Sequence, residues 1–289
     1  MKLKNPIYAA VLVLCTSAAT YFVTTTPYVV ATSTAQQGSA MVQTGADNEY
    51  QAGATLYMQK AAEYRALAYQ AFNLARWQLD LDLAGKNKNE IPKVDRKKPR
   101  AVMVDIDETM LDNSPAQAYN IRNRLPFDNK NWYAWGELRK AKAIPGSVDF
   151  ARYAAAKGVK VFFVSNRDDV QKQATMDNLK SVGFPDITAD NVMLRTSESS
   201  KEARRQIILK KYRIVFFVGD NLDDHSQVFE RKSVVDRFAE TDKAKDLFGK
   251  RYIMLPNAMY GTWESAIYEY GRLNDAQKAE RRAAALELP

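Results

Sequence analysis

Of its 289 residues this chain has one cysteine and one histidine. Cys15 lies in an apolar N-terminal segment, so the rest of the chain has no disulfide, no cysteine nucleophile and no thiolate metal site. The lone His225 cannot build a multi-histidine zinc centre, and no Arg-His-Gly sequence is present for a phosphohistidine mechanism. Catalysis is left to carboxylates, hydroxyls and amines. With 46% hydrophobic and 26% charged residues, the composition indicates neither disorder nor a fibrous class and allows one good-sized domain or two small ones. The 42 Lys and Arg outnumber the 34 Asp and Glu, a balance that suits a small anionic substrate or an anionic surface. These cations are spread along the chain, apart from short clusters at Arg96 to Arg100 and Arg281-Arg282, and no DNA or RNA module accompanies them. A nucleic-acid polymer is therefore not an expected partner.

Residues 1–35 read as an export signal. Lys2 and Lys4 open the segment, residues 7–23 are mostly apolar, and Ser33 and Ala35 offer a cleavage site, so the expected address is the extracytoplasmic envelope. Leu12-Val13-Leu14-Cys15 partly matches a lipid-attachment motif, with Leu14 where a small residue is wanted, so membrane anchoring through Cys15 is one option. Residues 36–54 are polar without apolar period and read as a tether. From 55 to 83 apolar residues recur every two to four positions, which predicts a long helix or a helix pair with a broad packing face.

Four apolar residues, Ala101 to Val104, then form a run of the kind a strand buried on both faces requires, and the carboxylates Asp105 and Asp107 follow. Residues two apart on a strand point the same way, so these carboxylates converge just past its end, where like charges need a cation between them. An insertion over 110–144, rich in Trp, Tyr and Asn, leaves from that end and can overhang it. Strand and helix patterns then alternate: helix 147–157, strand 159–164, helix 168–182, strand 192–194, helix 199–212, strand 214–218 and strand 252–255. This order predicts an α/β fold, a Rossmann-like parallel sheet flanked by helices, as one domain over 55–289. Helical cap elements are expected at about 55–92 and 110–145.

Ligands bind such sheets beyond the carboxyl ends of the strands. There the pattern gathers Asp105, Asp107, Ser165, Asn166, Arg167, Asp220 and Asp224, with Lys201 at a helix start. The set suits phosphoryl transfer through an aspartyl phosphate. Asp105 is the expected nucleophile and Asp107 the general acid and base. Mg²⁺ is expected on Asp105, Asp220 and the backbone carbonyl of Asp107, with Asp224 orienting its water. Ser165 and Lys201 are assigned to the phosphoryl oxygens, and Asn166 and Arg167 to substrate binding.

The pattern Asp105-x-Asp107-x-Thr109, Ser165 after a hydrophobic strand, Lys201 and Gly219-Asp220-Asn221-Leu222-Asp223-Asp224 resembles the four motifs of the haloacid dehalogenase (HAD) superfamily. The run Asp105 to Pro115, with Phe127-Asp128, Trp132, Pro145-Gly146, Ser165-Asn166-Arg167 and Asn257 to Ser265, is similar to the bacterial class C acid phosphatases. That resemblance covers about residues 55–270. It implies an HAD-like fold and a magnesium-dependent acid phosphatase of the envelope that hydrolyses 5′-nucleotides and related phosphomonoesters, as a homodimer. It also implies an aromatic clamp for the base, placed on Trp132 and Tyr260. Asp107 argues against the dehalogenase branch, which lacks a second aspartate. Two other readings remain: a noncatalytic envelope ligand binder on the same fold, and a phosphotransferase to an acceptor other than water.

Overall fold

The computed structural model describes residues 46–289. The expected export signal, Cys15 and residues 36–45 of the expected tether lie outside the described residues. Residues 46–54 do not form the tether that their polar composition predicts. A 3₁₀ turn, Glu49–Gln51, runs into helix α1 (Ala52–Lys60). The segment is held by hydrogen bonds, which leave no apolar period in the sequence: Ala46 N–H donates to Arg124 O (2.8 Å), Asn48 Nδ2 to Leu125 O (3.0 Å) and Gln51 Nε2 to Met259 O (2.9 Å).

Extended backbone at Ala61 breaks the predicted helix into α1 and α2 (Ala62–Leu83). Strand β1 (Arg100–Val104) follows, and then a small antiparallel pair, β2 (Leu111–Asp112) and β3 (Lys142–Ala143). Between β2 and β3 the insertion folds into α3 (Ser114–Asn123) and α4 (Asn129–Leu138). The remaining order is α5 (Ser147–Ala156), β4 (Lys160–Asp168), α6 (Lys172–Ser181), β5 (Val192–Arg195), α7 (Glu202–Lys211) and β6 (Arg213–Gly219). After β6 come α8 (Leu222–His225), α9 (Val234–Lys243), β7 (Tyr252–Met254), α10 (Thr262–Ile267) and α11 (Asp275–Ala284).

The five-stranded sheet has the order β5-β4-β1-β6-β7 and is parallel throughout. Side-chain alternation explains why β1 is apolar without interruption. Ala101 and Met103 join Phe162, Val164, Ile208 and Phe217 on one face, while Val102 and Val104 join Leu79, Phe150, Phe163 and Phe216 on the other. Ala101 pairs with Ile214 but Met103 with Phe217, so β6 carries one extra residue. That bulge turns Ile214 and Phe217, three apart, onto one face and leaves Phe216 to the other core.

Helix α2 lies against α5, β6 and β7, whereas α1 lies against α3 of the insertion. Among the described residues no helix is long and apolar enough to cross a membrane. Strand order reverses between β1 and β6, the place where an open parallel sheet leaves a crevice at its carboxyl edge. The opposite edge is closed by an ion cluster. Asp82, in the last turn of α2, accepts from both terminal nitrogens of Arg213 at 2.7 Å and from Arg100 Nε at 2.6 Å. Since Arg100 opens β1 and Arg213 opens β6, one carboxylate pins the helix to the two central strands.

Burial alone would raise the Asp82 carboxyl, but its bonds from Arg213 and Arg100 outweigh that and hold it below the usual carboxylate range. Asp82→Asn strands two guanidinium groups and is expected to cost about 3 to 5 kcal/mol in urea unfolding at neutral pH. A lowered folded-state value contributes stability above the unfolded carboxylate value, about 3.9, so the gap between wild type and variant should close as pH falls below it. A loss under about 1 kcal/mol at neutral pH would show that the cluster contributes nothing net.

Candidate active site

Asp105 is the first residue past β1, and its N–H donates to Val218 O of β6 at 2.9 Å, which fixes it at the carboxyl edge. Asp220 follows the last residue of β6, and Asp224 sits on the single-turn helix α8, where its Oδ2 accepts the Asn221 N–H at 3.0 Å. Gly219 makes this turn possible. A Cβ built there would lie 2.4 Å from Asp224 Cβ and Oδ2, so any side chain would push Asp224 aside. Oxygens of Asp105, Asp220 and Asp224 come within 4.8 Å of one another.

Lys201, just before α7, supplies the positive charge. Its buried Nζ contacts Asp105 Oδ1 and lies 2.7 Å from Asp224 Oδ1. Burial would lower the Lys201 ammonium, yet Asp105 and Asp224 raise it above its ordinary value. Burial pushes the Asp105 carboxyl well up, Lys201 opposes this, and the charges of Asp224, Asp220 and Asp107 add to the rise. Asp220 is pushed up to about 7 by burial and by Asp224, against hydrogen bonds from Asn257 Nδ2 (2.8 Å) and Thr109 Oγ1 (2.9 Å). One ammonium among these carboxylates leaves an excess of negative charge on hard oxygen donors, a set that fits a small divalent cation.

Asp107 is held separately. Its Oδ1 accepts from Arg167 Nε (2.9 Å) and Nη2 (2.8 Å) and from Asn113 Nδ2 (2.8 Å), while its Oδ2 accepts from Ser165 Oγ (2.8 Å). Arg167 is 2% exposed, and its other N–H groups donate to Thr175 Oγ1 (3.2 Å) and Asn113 Oδ1 (3.1 Å). Arg167, expected to bind substrate, lines the cavity with its guanidinium turned onto Asp107. The strand predicted to end at Val164 instead runs to Asp168, with Asp168 paired to Arg195 of β5. Alternation along that extension sends Ser165 and Arg167 to the Asp107 side and leaves Asn166 exposed on the other.

Asn166 keeps its place on the cavity wall, its carboxamide oxygen accepting from Arg204 Nη2 at 2.6 Å. Arg204 was not singled out from the sequence. It is buried and also donates to Ser165 O (2.6 Å), Ser199 O (3.3 Å) and Ser200 O (3.2 Å), tying the β4 edge to the loop before Lys201. Glu108 is a second omission. It is fully buried at φ 58°, and its Oε1 accepts the Asn113 N–H at 2.7 Å while Oε2 accepts the Tyr260 hydroxyl. Burial pushes its carboxyl well above the ordinary range, and the charges of Asp107 and Asp220 add to the rise. Its signal in the sequence was only a carboxylate inside an otherwise explained motif.

These residues open onto a cavity of about 840 Å³ that also takes in Trp132, Tyr260, Phe127 and Tyr50. Trp132, on α4, lies under the Arg167 guanidinium at 5.3 Å and beside Phe127 at 6.1 Å. Tyr260 packs its ring on the core and reaches Glu108 with its hydroxyl. His225, next to Asp224, belongs to the core: it stacks on Tyr252 at 5.1 Å, and burial lowers it to about 4, so the ring is neutral.

A family model described as HAD superfamily, subfamily IIIB (Acid phosphatase), matches residues 19–263. The class C acid phosphatase of Bacillus anthracis has a similar structure, with a TM-score of 0.78 at 37% identity over 84% of this chain and 98% of that one. A second structure of that protein, with tungstate bound, gives 0.77 at 38% identity over the same shares, 84% and 98%. Acid phosphatase 1 of Solanum lycopersicum is 28% identical over 126 residues, 42% of this chain and 49% of that protein, so the chain spans about half the length of this curated relative. With the family model matched over most of its length and the acidic set, Lys201 and Ser165 gathered at one sheet edge, the chain belongs to subfamily IIIB, the acid phosphatases, of the HAD superfamily.

Proposed function

We propose that this protein is a Mg²⁺-dependent acid phosphatase that hydrolyses 5′-nucleotides and related phosphomonoesters through an aspartyl phosphate on Asp105. The observation that carries the reading is the division of labour between two adjacent carboxylates: Asp105 lies in the acidic set against Lys201, while Asp107 is kept out of it by Arg167, Ser165 and Asn113. Asp105, Asp220 and the backbone carbonyl of Asp107 would hold Mg²⁺, with Asp224 beside them. When bound, the ion neutralises phosphoryl charge and screens the carboxylates from one another.

The chain's own groups account for the proton and bond changes. A carboxylate oxygen of Asp105 attacks phosphorus, and the bond from phosphorus to the ester oxygen breaks as Asp107 gives that oxygen its proton. The alcohol leaves. Asp107, now a carboxylate, takes a proton from a water that attacks the phosphorus of the aspartyl phosphate. The bond from phosphorus to Asp105 breaks, inorganic phosphate departs, and Asp107 again carries a proton. Lys201 sets a fixed positive charge beside Asp105 before either step begins.

Nucleotides are favoured as substrates by the size of the cavity and by its aromatic lining, in which Trp132 and Tyr260 can flank a planar base. The related Bacillus anthracis protein has been crystallised with tungstate, a tetrahedral oxyanion of phosphate-like shape. An envelope address follows from the amino-acid pattern of residues 1–35, and homodimerisation from the family resemblance.

Asp105→Asn is expected to reduce phosphate release by at least about 10³-fold with an unchanged urea midpoint. Asp107→Asn should slow nucleotide hydrolysis by about 10²- to 10⁴-fold. With 4-nitrophenyl phosphate, whose leaving group needs no proton, that variant should release one equivalent of nitrophenolate in a burst and then stall. Steady turnover without a burst would remove Asp107 from the base role. EDTA should abolish activity and added Mg²⁺ restore it, and full turnover in chelator would reject the metal. Arg167→Ala should lower kcat with little change in KM, because Arg167 aims Asp107; a raised KM at constant kcat would return Arg167 to substrate binding.

A further inference from the structure

The cavity has a recognition wall that phosphoryl transfer does not use. Five cationic side chains line it. Arg167 is committed to Asp107, Lys201 to Asp105 and Asp224, and Arg282 to Asp47. The other two, Arg231 and Lys278, have no ion pair among the described residues.

Neither is loose. Arg231 lies over the Tyr270 ring at 5.3 Å and Lys278 over the Tyr268 ring at 5.9 Å, so one short turn carries both. That turn is strained: Glu269 and Tyr270 have φ of 51° and 57°, and Arg231 itself has φ of 52°. Non-glycine residues persist in this region only when their surroundings hold them there. Here the Tyr270 hydroxyl donates to Lys232 O at 3.0 Å, fastening the turn to the Arg231 loop, and Arg282 Nη1 donates to the Tyr268 hydroxyl at 2.9 Å. Two unpaired cations are thus held by buttressed aromatics on the wall of the cavity that holds Asp105.

We infer that Arg231 and Lys278 form an anion subsite for a second phosphate carried by the leaving group, so that nucleoside bisphosphates are better substrates than the corresponding monophosphates. This rests on the phosphomonoesterase reading above and names its substrate class. The scissile phosphoryl group would sit at Asp105, against Lys201 and the cation that the acidic set would hold, and the second phosphate neutralises cations that no carboxylate among the described residues satisfies.

The test compares a nucleoside 3′,5′-bisphosphate with the 5′-monophosphate of the same base, following release of the 5′-phosphate at physiological salt. The wild-type enzyme should favour the bisphosphate in kcat/KM by about tenfold, as expected for two partly exposed cation–phosphate contacts. In Arg231→Ala/Lys278→Ala this ratio should fall to about one while kcat/KM for the monophosphate stays within about twofold. Arg231→Lys/Lys278→Arg should keep most of the preference. Lys278→Ala alone, on the exposed helix α11, should lose part of it and serves if the double variant does not fold. A wild-type ratio of one, or a preference that survives both alanine variants, overturns the subsite while leaving the hydrolase reading in place. A wild-type enzyme that hydrolyses neither nucleotide overturns both.

Discussion

Three buried or half-buried carboxylates crowd the end of two adjacent parallel strands with one ammonium among them, and most of the architecture can be read as support for that arrangement. Burial drives Asp105 and Asp220 toward protonation, and the repulsion of the neighbouring carboxylates adds to it. A chain free to relax would separate them. It cannot, because Asp105 is bonded through its backbone to β6, Asp220 continues that strand, and Asp224 closes a one-turn helix over Gly219. The strain is electrostatic and the restraint is the sheet. Carboxylates held this way could take a cation with little reorganisation of the chain.

The sheet tolerates this because its other edge is secured independently. At the amino ends of β1 and β6, the two strands that bear the acidic set, Asp82 satisfies Arg100 and Arg213. Between the edges, unbroken apolar runs bury both faces, and the bulge in β6 lets that strand feed both cores without a polar residue turning inward. Charge is thereby confined to the ends and apolar packing to the middle, which is how an all-parallel sheet can carry a highly charged site.

The legible part of this protein was the part written in alternation. Apolar runs ending in polar clusters disclose every strand of the main sheet, and those strand ends, with Lys201 at a helix start, bring Asp105, Asp220, Asp224 and Lys201 together. The bond from Arg167 to Asp107 was hidden because the direction of Arg167 depends on where β4 stops. The run expected to end at Val164 continues four residues to Asp168, which turns Ser165 and Arg167 to the Asp107 side, and no local signal marks that end. Glu108 was hidden for a different reason: a fully buried acid at positive φ makes sense only once Asn113 and Tyr260, 5 and 152 positions away, are seen to donate to it. Apart from Tyr260, the wall built from residues 46–51 and 261–282 was likewise unreadable. It is made by the two ends of the described chain, and a sequence pattern gives no hint that Asp47 meets Arg282 or that Tyr50 meets Glu264.

This distribution separates the strand-end residues from the rest of the cavity wall. Asp105, Asp220 and Ser165 hang from strand ends, where a shift of one residue would reverse a side chain, so their positions are tightly specified. The rest of the wall comes from the insertion helices, the segment before α1 and the α10–α11 region, which contribute little to the sheet core. Substitutions there can reshape the cavity without disturbing the acidic set. Tyr260 is the exception, since its ring lines the cavity while its hydroxyl is held by Glu108, the neighbour of Asp107. Asn113 bonds both Glu108 and Asp107, so through Tyr260 the aromatic wall and Asp107 share one buried support, and a change at Tyr260 would be felt beside Asp107.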